Sequence, residues 1–448
     1  GRPEAAARQL AAAQDYAAAG RAWLLAAHAA HLVFANLEAE RLLDEALSVA
    51  QRSSEPMLVA TVLMRRGEIR TDLGRHGDAR DDLEVALGIA RDVGDELLEA
   101  RVLEQLGWTA LYARDALGAV DLASRARALA ESAAAAPGAL PSSLLLVGRV
   151  RHWDGDYSGA ASAYAQVVAD AGDTTAAVAL AYRGALLQHM DRFAEARAVL
   201  ERAAVLCRTT GQFRPLLQTL FFIGLARGDV GDFEGALRSL GRARRMIDEY
   251  GVSFYRAGID TTTAWLLLEL GDVGQAREHA QRAVELAHSG GGALELEQEL
   301  HALLALADCD LLDGRVDDAG ARVEAAAPML DQSLPFRPRA AMRLLEMRAR
   351  FESAQAEALL THARRYSSTK YESLALWHLG RHQEAAIVAA QTGSDLLLAQ
   401  VGHPGARKAA LDRIAASLAP EVRARFLASG RLCRDKGKGR VKRPGRWS

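Results

Sequence analysis

An alanine recurs along this chain at intervals close to 40 residues, and this repeat constrains the fold more than any other feature of the sequence. Successive members are separated by 40, 40, 41, 36, 40, 40 and 43 residues. A fixed period of about 20 to 50 residues is typical of solenoids, in which each unit packs only against its neighbours. The members are Ala39, Ala79, Ala119, Ala160, Ala196, Ala236, Ala276 and Ala319, and Ala385 follows after a gap of 66 residues.

Each unit has the pattern of two helices joined by a tight turn. Gly ends a helix because it adopts the left-handed conformation without a Cβ clash, and Asp caps the next one. Gly231-Asp232, five residues before Ala236, shows both signals. We predict helix A, a turn and helix B in each unit, with turns near residues 35–37, 74–77, 114–117, 155–158, 191–194, 231–234, 271–274 and 314–317.

Small residues recur twelve positions before each alanine, where they let two helices approach closely. The positions are Gly67, Gly107, Gly148, Gly184, Gly224, Ala264 and Ala307. Leucines four residues after the alanine lie on the same face of helix B, because residues i and i+4 are neighbours on a helix. These are Leu83, Leu200 and Leu240. We expect the leucines to pack at the small residues.

This skeleton resembles the tetratricopeptide repeat (TPR), and segments Leu63–Ala86 and Phe222–Ala243 match it most fully. The resemblance implies an all-α, right-handed TPR superhelix of about nine to ten helix pairs, with helices longer than in the 34-residue repeat. It covers residues 15–330 well and 340–400 weakly. We therefore predict a well-marked solenoid at 1–330, degenerate helical repeats with a closing helix at 331–430, and a basic disordered tail at 431–448.

The tail contains eight Lys or Arg residues and one Asp. Its high charge and low apolar content disfavour a packed core. We predict that the tail is dispensable for folding. The alternative, which the sequence supports only weakly, is that the tail binds nucleic acid or another polyanion.

The remaining composition favours a cytoplasmic protein. No run of 18 apolar residues predicts a membrane span, and no basic segment followed by an apolar core predicts a signal peptide. Cys207, Cys309 and Cys433 lie far apart and show neither metal-site nor disulfide spacing. The chain lacks an initiator Met and enters in mid-pattern, so we expect a fragment of a longer protein.

Catalytic motifs are absent from the sequence. It contains no GxxxxGK[ST] phosphate loop, HExxH, CxxC, GxSxG or EF-hand loop. His378 and His382 are four residues apart, but the Gly380-Arg381 turn separates them and no third ligand has convincing spacing. We predict a chain that is not an enzyme and has no catalytic residues, no cofactor and no metal site.

The TPR resemblance implies that helix A lines the concave surface, and it assigns specific side chains to that groove. Trp, Tyr and Arg dominate the hot spots of interfaces. We predict a protein or peptide, or a small-molecule effector, in a groove formed by Trp108, Tyr112, Arg149, His152, Trp153, Gln188, His189 and Trp265, and the same frame adds Asp229 and Glu269. The open alternative is that the aromatic residues pack between adjacent A helices.

Two terminal segments resemble a particular protein class. Residues 12–50 look like the first TPR units after the ATPase module of bacterial AAA/STAND-type regulators, and residues 418–430 resemble their closing helix. These proteins include LuxR-type ATP-binding regulators and AAA–TPR proteins linked to cyclases or kinases. The resemblance implies a sensor or scaffold arm of a multidomain bacterial regulator, with ATPase, cyclase or nucleic-acid-binding activity only in absent domains. The alternative is a stand-alone TPR adaptor that assembles partner proteins.

Overall fold

The structure is a computed structural model that describes residues 2–33, 35–132, 139–250, 255–290, 293–332 and 334–429. Within these ranges it contains 24 α-helices, one short 3₁₀ helix and no strand. The predicted all-α, TPR-type superhelix is confirmed. None of the described helices has the combined length and apolar character that crossing a bilayer requires.

The helices are numbered in chain order. Their bounds are α1 Arg2–Ala12, α2 Tyr16–Leu32, α3 Asn36–Ala50, α4 Pro56–Asp72, α5 His76–Val93, α6 Glu96–Tyr112, α7 Ala116–Ser132, α8 Ala139–Asp154, α9 Tyr157–Asp170, α10 Asp173–His189, α11 Phe193–Thr209, α12 Phe213–Val230, α13 Phe233–Tyr250, α14 Arg256–Glu269, α15 Val273–Gly290, α16 Ala293–Leu312, α17 Val316–Ala326, α18 Arg337–Ala349, α19 Ser353–Arg365, α20 Thr369–His378, α21 His382–Ala390, α22 Asp395–Val401, α23 Pro404–Ala416 and α24 Pro420–Ala428. The 3₁₀ helix, Ala327–Asp331, follows α17.

From α2 to α23, each even-numbered helix packs against the odd-numbered helix that follows it and corresponds to helix A of a pair. The predicted A/B turns are confirmed: two begin at the expected residue, five begin one residue earlier and one begins two residues earlier. For example, α4 ends at Asp72 and α5 begins at His76, whereas α12 ends at Val230 and α13 begins at Phe233. Gly231 has a φ of 93°, as the left-handed end of a helix requires.

The small residues of helix A lie where the leucines of helix B cross them. A Cβ atom added to Gly67 would come within 2.6 Å of Leu83, and one added to Gly184 within 2.5 Å of Leu200. Gly224 meets Leu240 in the same way, at 2.8 Å. Such distances are too short for carbon atoms, so each site excludes a larger side chain. The predicted packing of leucine on glycine is confirmed.

The superhelix returns onto itself. α16 contacts α6, α18 contacts α8 and α22 contacts α12, so the C-terminal pairs lie against the inner helices of the central pairs. At the far end Phe426 of α24 packs on Phe233, with ring centroids 5.9 Å apart. The segment predicted as degenerate repeats thus closes the stack. The division at residue 330 stays a prediction, and the predicted tail at 431–448, which includes Cys433, lies outside the described residues.

Candidate functional site

A cavity lies inside the closed superhelix. The empty space here, together with open solvent at the mouth, is about 1400 Å³. Every even-numbered helix from α10 to α22 contributes to the wall. Helix A faces inward in each pair, so residues far apart in sequence meet here. A concave site that several elements line with aromatic and polar groups is the usual form of a ligand site.

The structure divides the predicted groove residues into two sets. Gln188, His189 and Trp265 line the cavity, as do Asp229 and Glu269. The other five lie next to it, on α6 and α8, and are Trp108, Tyr112, Arg149, His152 and Trp153. Arg149 and His152 are 1% and 0% exposed. Tyr112 and Trp153 are also buried, which fits the packing alternative, whereas Trp108 is only partly buried. A role of all eight residues in binding stays a prediction.

Phe336, directly before α18, packs on three residues of the second set, Arg149, His152 and Trp153. Its ring centroid lies 4.9 Å from that of His152 and 4.7 Å from that of His189. Its φ of 51° is in the left-handed region, which is strained for a bulky residue and persists only where packing holds it. The sequence did not predict this contact, because Phe336 lies outside the marked repeats.

Arg149 is surrounded by aromatic rings. Its guanidinium carbon lies 4.4 Å from the ring centroid of Tyr182, 5.0 Å from that of Phe336 and 5.7 Å from that of Trp153. Its Nε and Nη1 have no hydrogen-bond partner among the described residues. Cation–π attraction to the rings helps to stabilise this buried charge.

His152 and His189 form a buried pair, with His152 Nε2 3.0 Å from His189 Nδ1. Burial lowers the pKa of both imidazoles well below the usual value, and the neighbouring charge of Arg149 acts in the same direction. Both rings are therefore neutral at pH 7, and a single N–H lies between them.

A line of polar contacts crosses one side of the cavity. Gln188 Nε2 donates to Asp229 Oδ2 at 2.8 Å, and the ammonium of Lys370 pairs with the other carboxylate oxygen. The same ammonium lies 5.5 Å from the ring centroid of Trp265, whose Nε1 donates to Glu269 at 3.2 Å. Lys370 was missed by the sequence reasoning because the repeat is weakest between residues 340 and 400.

Two carboxylates and two arginines form a second buried network in the wall. Arg343 Nη2 lies 2.5 Å from Asp308 Oδ2, and Arg350 Nε donates to Glu346 Oε1 at 2.9 Å. Burial opposes the ionisation of Glu346, but Arg350, His378 and Arg343 together hold its pKa well below the usual value. The network is therefore charged and internally paired. In the described part of the chain, no group of three or more His, Cys, Asp or Glu residues is arranged to hold a metal ion.

Comparison with known proteins shows the fold. Neither a family model nor a curated protein matches the chain. A Rap protein solved in complex with competence and sporulation factor is similar over 83% of this chain and 99% of its own, with 13% identity and a TM-score of 0.52. The apo form of the quorum sensor NprR from B. thuringiensis is 15% identical over 70% of this chain and 88% of its own, with a TM-score of 0.45. The Rap conjugation gene regulator of plasmid pLS20, solved with the Phr* peptide, is 15% identical over 82% of this chain and 97% of its own, with a TM-score of 0.45. The first likeness supports a TPR-type solenoid and nothing finer.

Proposed function

We propose that this chain is a non-catalytic binding arm whose protein, peptide or small-molecule ligand occupies the inner cavity. The observation that carries the proposal is the convergence of seven successive A helices, α10 to α22, on one open space. A ligand there contacts central and C-terminal repeats at once, so its binding energy favours the closed superhelix. The Rap protein solved with its factor is a protein of this fold with a bound partner.

The arm belongs, in this proposal, to a cytoplasmic multidomain bacterial regulator. The resemblance of residues 12–50 and 418–430 to regulator segments supports this assignment.

The test of the cavity uses a bulky residue to fill it. Leu225 lines the cavity, and L225W places an indole in that space. Leu237 is also partly buried but lies on α13, a B helix outside the cavity, so L237W is the matched control. We expect native mass spectrometry to find a ligand that co-purifies with wild type and L237W and is lost from L225W. A ligand retained equally by L225W would contradict the proposal.

A further inference from the structure

One hydrogen-bond acceptor in the cavity wall is unsatisfied. Gln188 is 3% exposed, and its amide nitrogen donates to Asp229. A carboxylate only accepts hydrogen bonds, so this contact fixes which end of the amide is which. Gln188 Oε1 is left without a partner among the described residues. A buried oxygen without a donor is costly, and a ligand with an N–H group would supply that donor.

The charges of the cavity wall are unequal. The wall contains more carboxylates than Arg and Lys side chains: Asp229, Glu269, Glu297, Asp308 and Glu346 against Arg339, Arg343, Arg350 and Lys370. In addition, Arg339 is engaged by a carboxylate behind the wall, Asp191, at 2.7 Å.

Glu297 lacks a strong cationic partner. Its Oε1 lies 2.9 Å from His301 Nε2, and its other oxygen accepts from the Gln298 amide. No Arg or Lys in the described ranges forms an ion pair with it. The wall therefore favours an added positive charge.

The cations of the wall are already paired. Lys370 pairs with Asp229, and Arg343 and Arg350 pair with Asp308 and Glu346. An anionic ligand would have to break one of these buried pairs and leave a carboxylate exposed to another negative charge. A cationic ligand leaves every pair in place.

Aromatic faces line the same space and suit a cation. Trp265, Tyr255, Phe221 and Phe222 all contribute to the wall. The approach of Lys370 to Trp265 shows that one of these faces already accepts an ammonium group. Desolvated aromatic faces attract ammonium and guanidinium groups.

We propose that the ligand of this cavity carries an ammonium or guanidinium group, which donates to Gln188 Oε1 and is attracted by Glu297. This inference rests on the cavity being the binding site and adds the chemical class of the ligand. The group can belong to a small amine or to the free amino terminus of a peptide, and the two sources are separated by experiment.

The experiment measures thermal shifts and calorimetric titrations of the full chain with three pairs of probes. Cadaverine is compared with glutarate, which has a similar length and the opposite charge. Agmatine is compared with 4-guanidinobutyrate, in which a carboxylate replaces the ammonium group. An apolar pentapeptide amide with a free amino terminus is compared with its acetylated form. At ~10 mM we expect a cationic probe to raise the melting temperature by ~2 °C, and its anionic, zwitterionic or acetylated counterpart to have no effect.

Single variants show whether a shift in melting temperature arises from binding in the cavity. Q188M removes the acceptor and E297Q removes the charge, and each should weaken binding of the cationic probe ~10-fold. Gln218 is buried to the same degree but does not line the cavity, so Q218M is the matched control. Glu299 pairs with His288 outside the cavity, so E299Q is the control for charge.

The outcomes separate this inference from the cavity proposal. Binding of glutarate but not of any amine, with loss in L225W, would overturn the inference and leave the cavity as a site. Binding of amines that is unchanged in both Q188M and E297Q would also overturn it. If no cationic probe binds, the inference fails. The comparison of co-purifying ligands in wild type and L225W then still tests whether the cavity is a binding site.

Discussion

Arg339 Nη1 lies 2.7 Å from Asp191 Oδ1 across a sequence separation of 148 residues. Asp191 is in the turn between α10 and α11, with a φ of 59°, and its side chain is fully buried. Its second oxygen accepts from Ser368 Oγ at 2.6 Å and from the Lys370 backbone N–H at 3.0 Å. One carboxylate thus connects the central pairs with α18 and α20.

The first prediction concerns this carboxylate. D191N keeps the size of the side chain and its tolerance of a left-handed φ, but leaves Arg339 without its counter-charge. We expect a loss of ~3 kcal/mol in the free energy of unfolding, measured by urea denaturation. The control is D232N, in the corresponding turn of the next repeat. Asp232 is partly exposed and accepts a hydrogen bond from the Gly235 backbone N–H. This variant should lower the free energy of unfolding by at most ~1 kcal/mol. Equal losses in the two variants would count against the role given to Asp191.

The second prediction tests the repeat register. Ala236 is fully buried where α13 meets α12, so A236R forces a charge between two helices. We expect a cost of ~3 kcal/mol or more, and faster hydrogen exchange that extends into the neighbouring pairs because a solenoid couples adjacent units. A198R changes an exposed alanine of α11 and should have little effect. An unchanged melting temperature for A236R would show that the register is wrong.

The third prediction concerns Phe336. F336A removes the ring that covers Arg149, His152 and Trp153. The expected cost is ~3 kcal/mol, the usual range for a buried phenylalanine. Acrylamide should then quench tryptophan fluorescence more strongly, because Trp153 becomes accessible. The control is F351A, which truncates a less buried phenylalanine near α18. Unchanged quenching in F336A would indicate that another group covers Trp153.

The fourth prediction is a dependence of stability on pH. The pKa of His152 and His189 is lowered in the folded chain, mainly by burial, whereas both titrate near 6.5 when unfolded. The unfolded state therefore binds more protons, and stability falls as the pH drops below 6.5. His76, whose pKa burial lowers to about 4, acts in the same direction. The His pair should contribute ~3 kcal/mol of loss between pH 7.5 and 5.5.

The double variant H152Q/H189Q isolates the contribution of the pair. Urea denaturation at the two pH values should show a smaller loss for the variant than for wild type, by ~3 kcal/mol. A pH dependence that is identical in wild type and variant would show that the two imidazoles are not neutral and buried in the folded chain.

The sequence predicted the local structure well because each local rule repeats. Gly67 and Leu83 meet as expected, since their spacing depends only on one helix pair. The sequence also placed Gln188 and Trp265 on the inner face. It did not predict that Phe336 covers Trp153, or that Lys370 pairs with Asp229. Those contacts depend on the rotation per repeat summed over about five pairs, and no single repeat encodes that sum.

Closure of the superhelix creates the cavity, and a cross-link between α13 and the α23–α24 turn tests that closure. The Ala419 backbone N–H, between α23 and α24, donates to Glu234 Oε1 at 3.0 Å. The double variant E234C/A419C is made in a C433S background and treated with a short bismaleimide at micromolar protein concentration. We expect peptide mass spectrometry to find an intramolecular link between the two introduced cysteines. The control E38C/A419C should form no such link. Full labelling of both introduced thiols in E234C/A419C without a link between them would contradict closure, and with it the cavity as the site of binding.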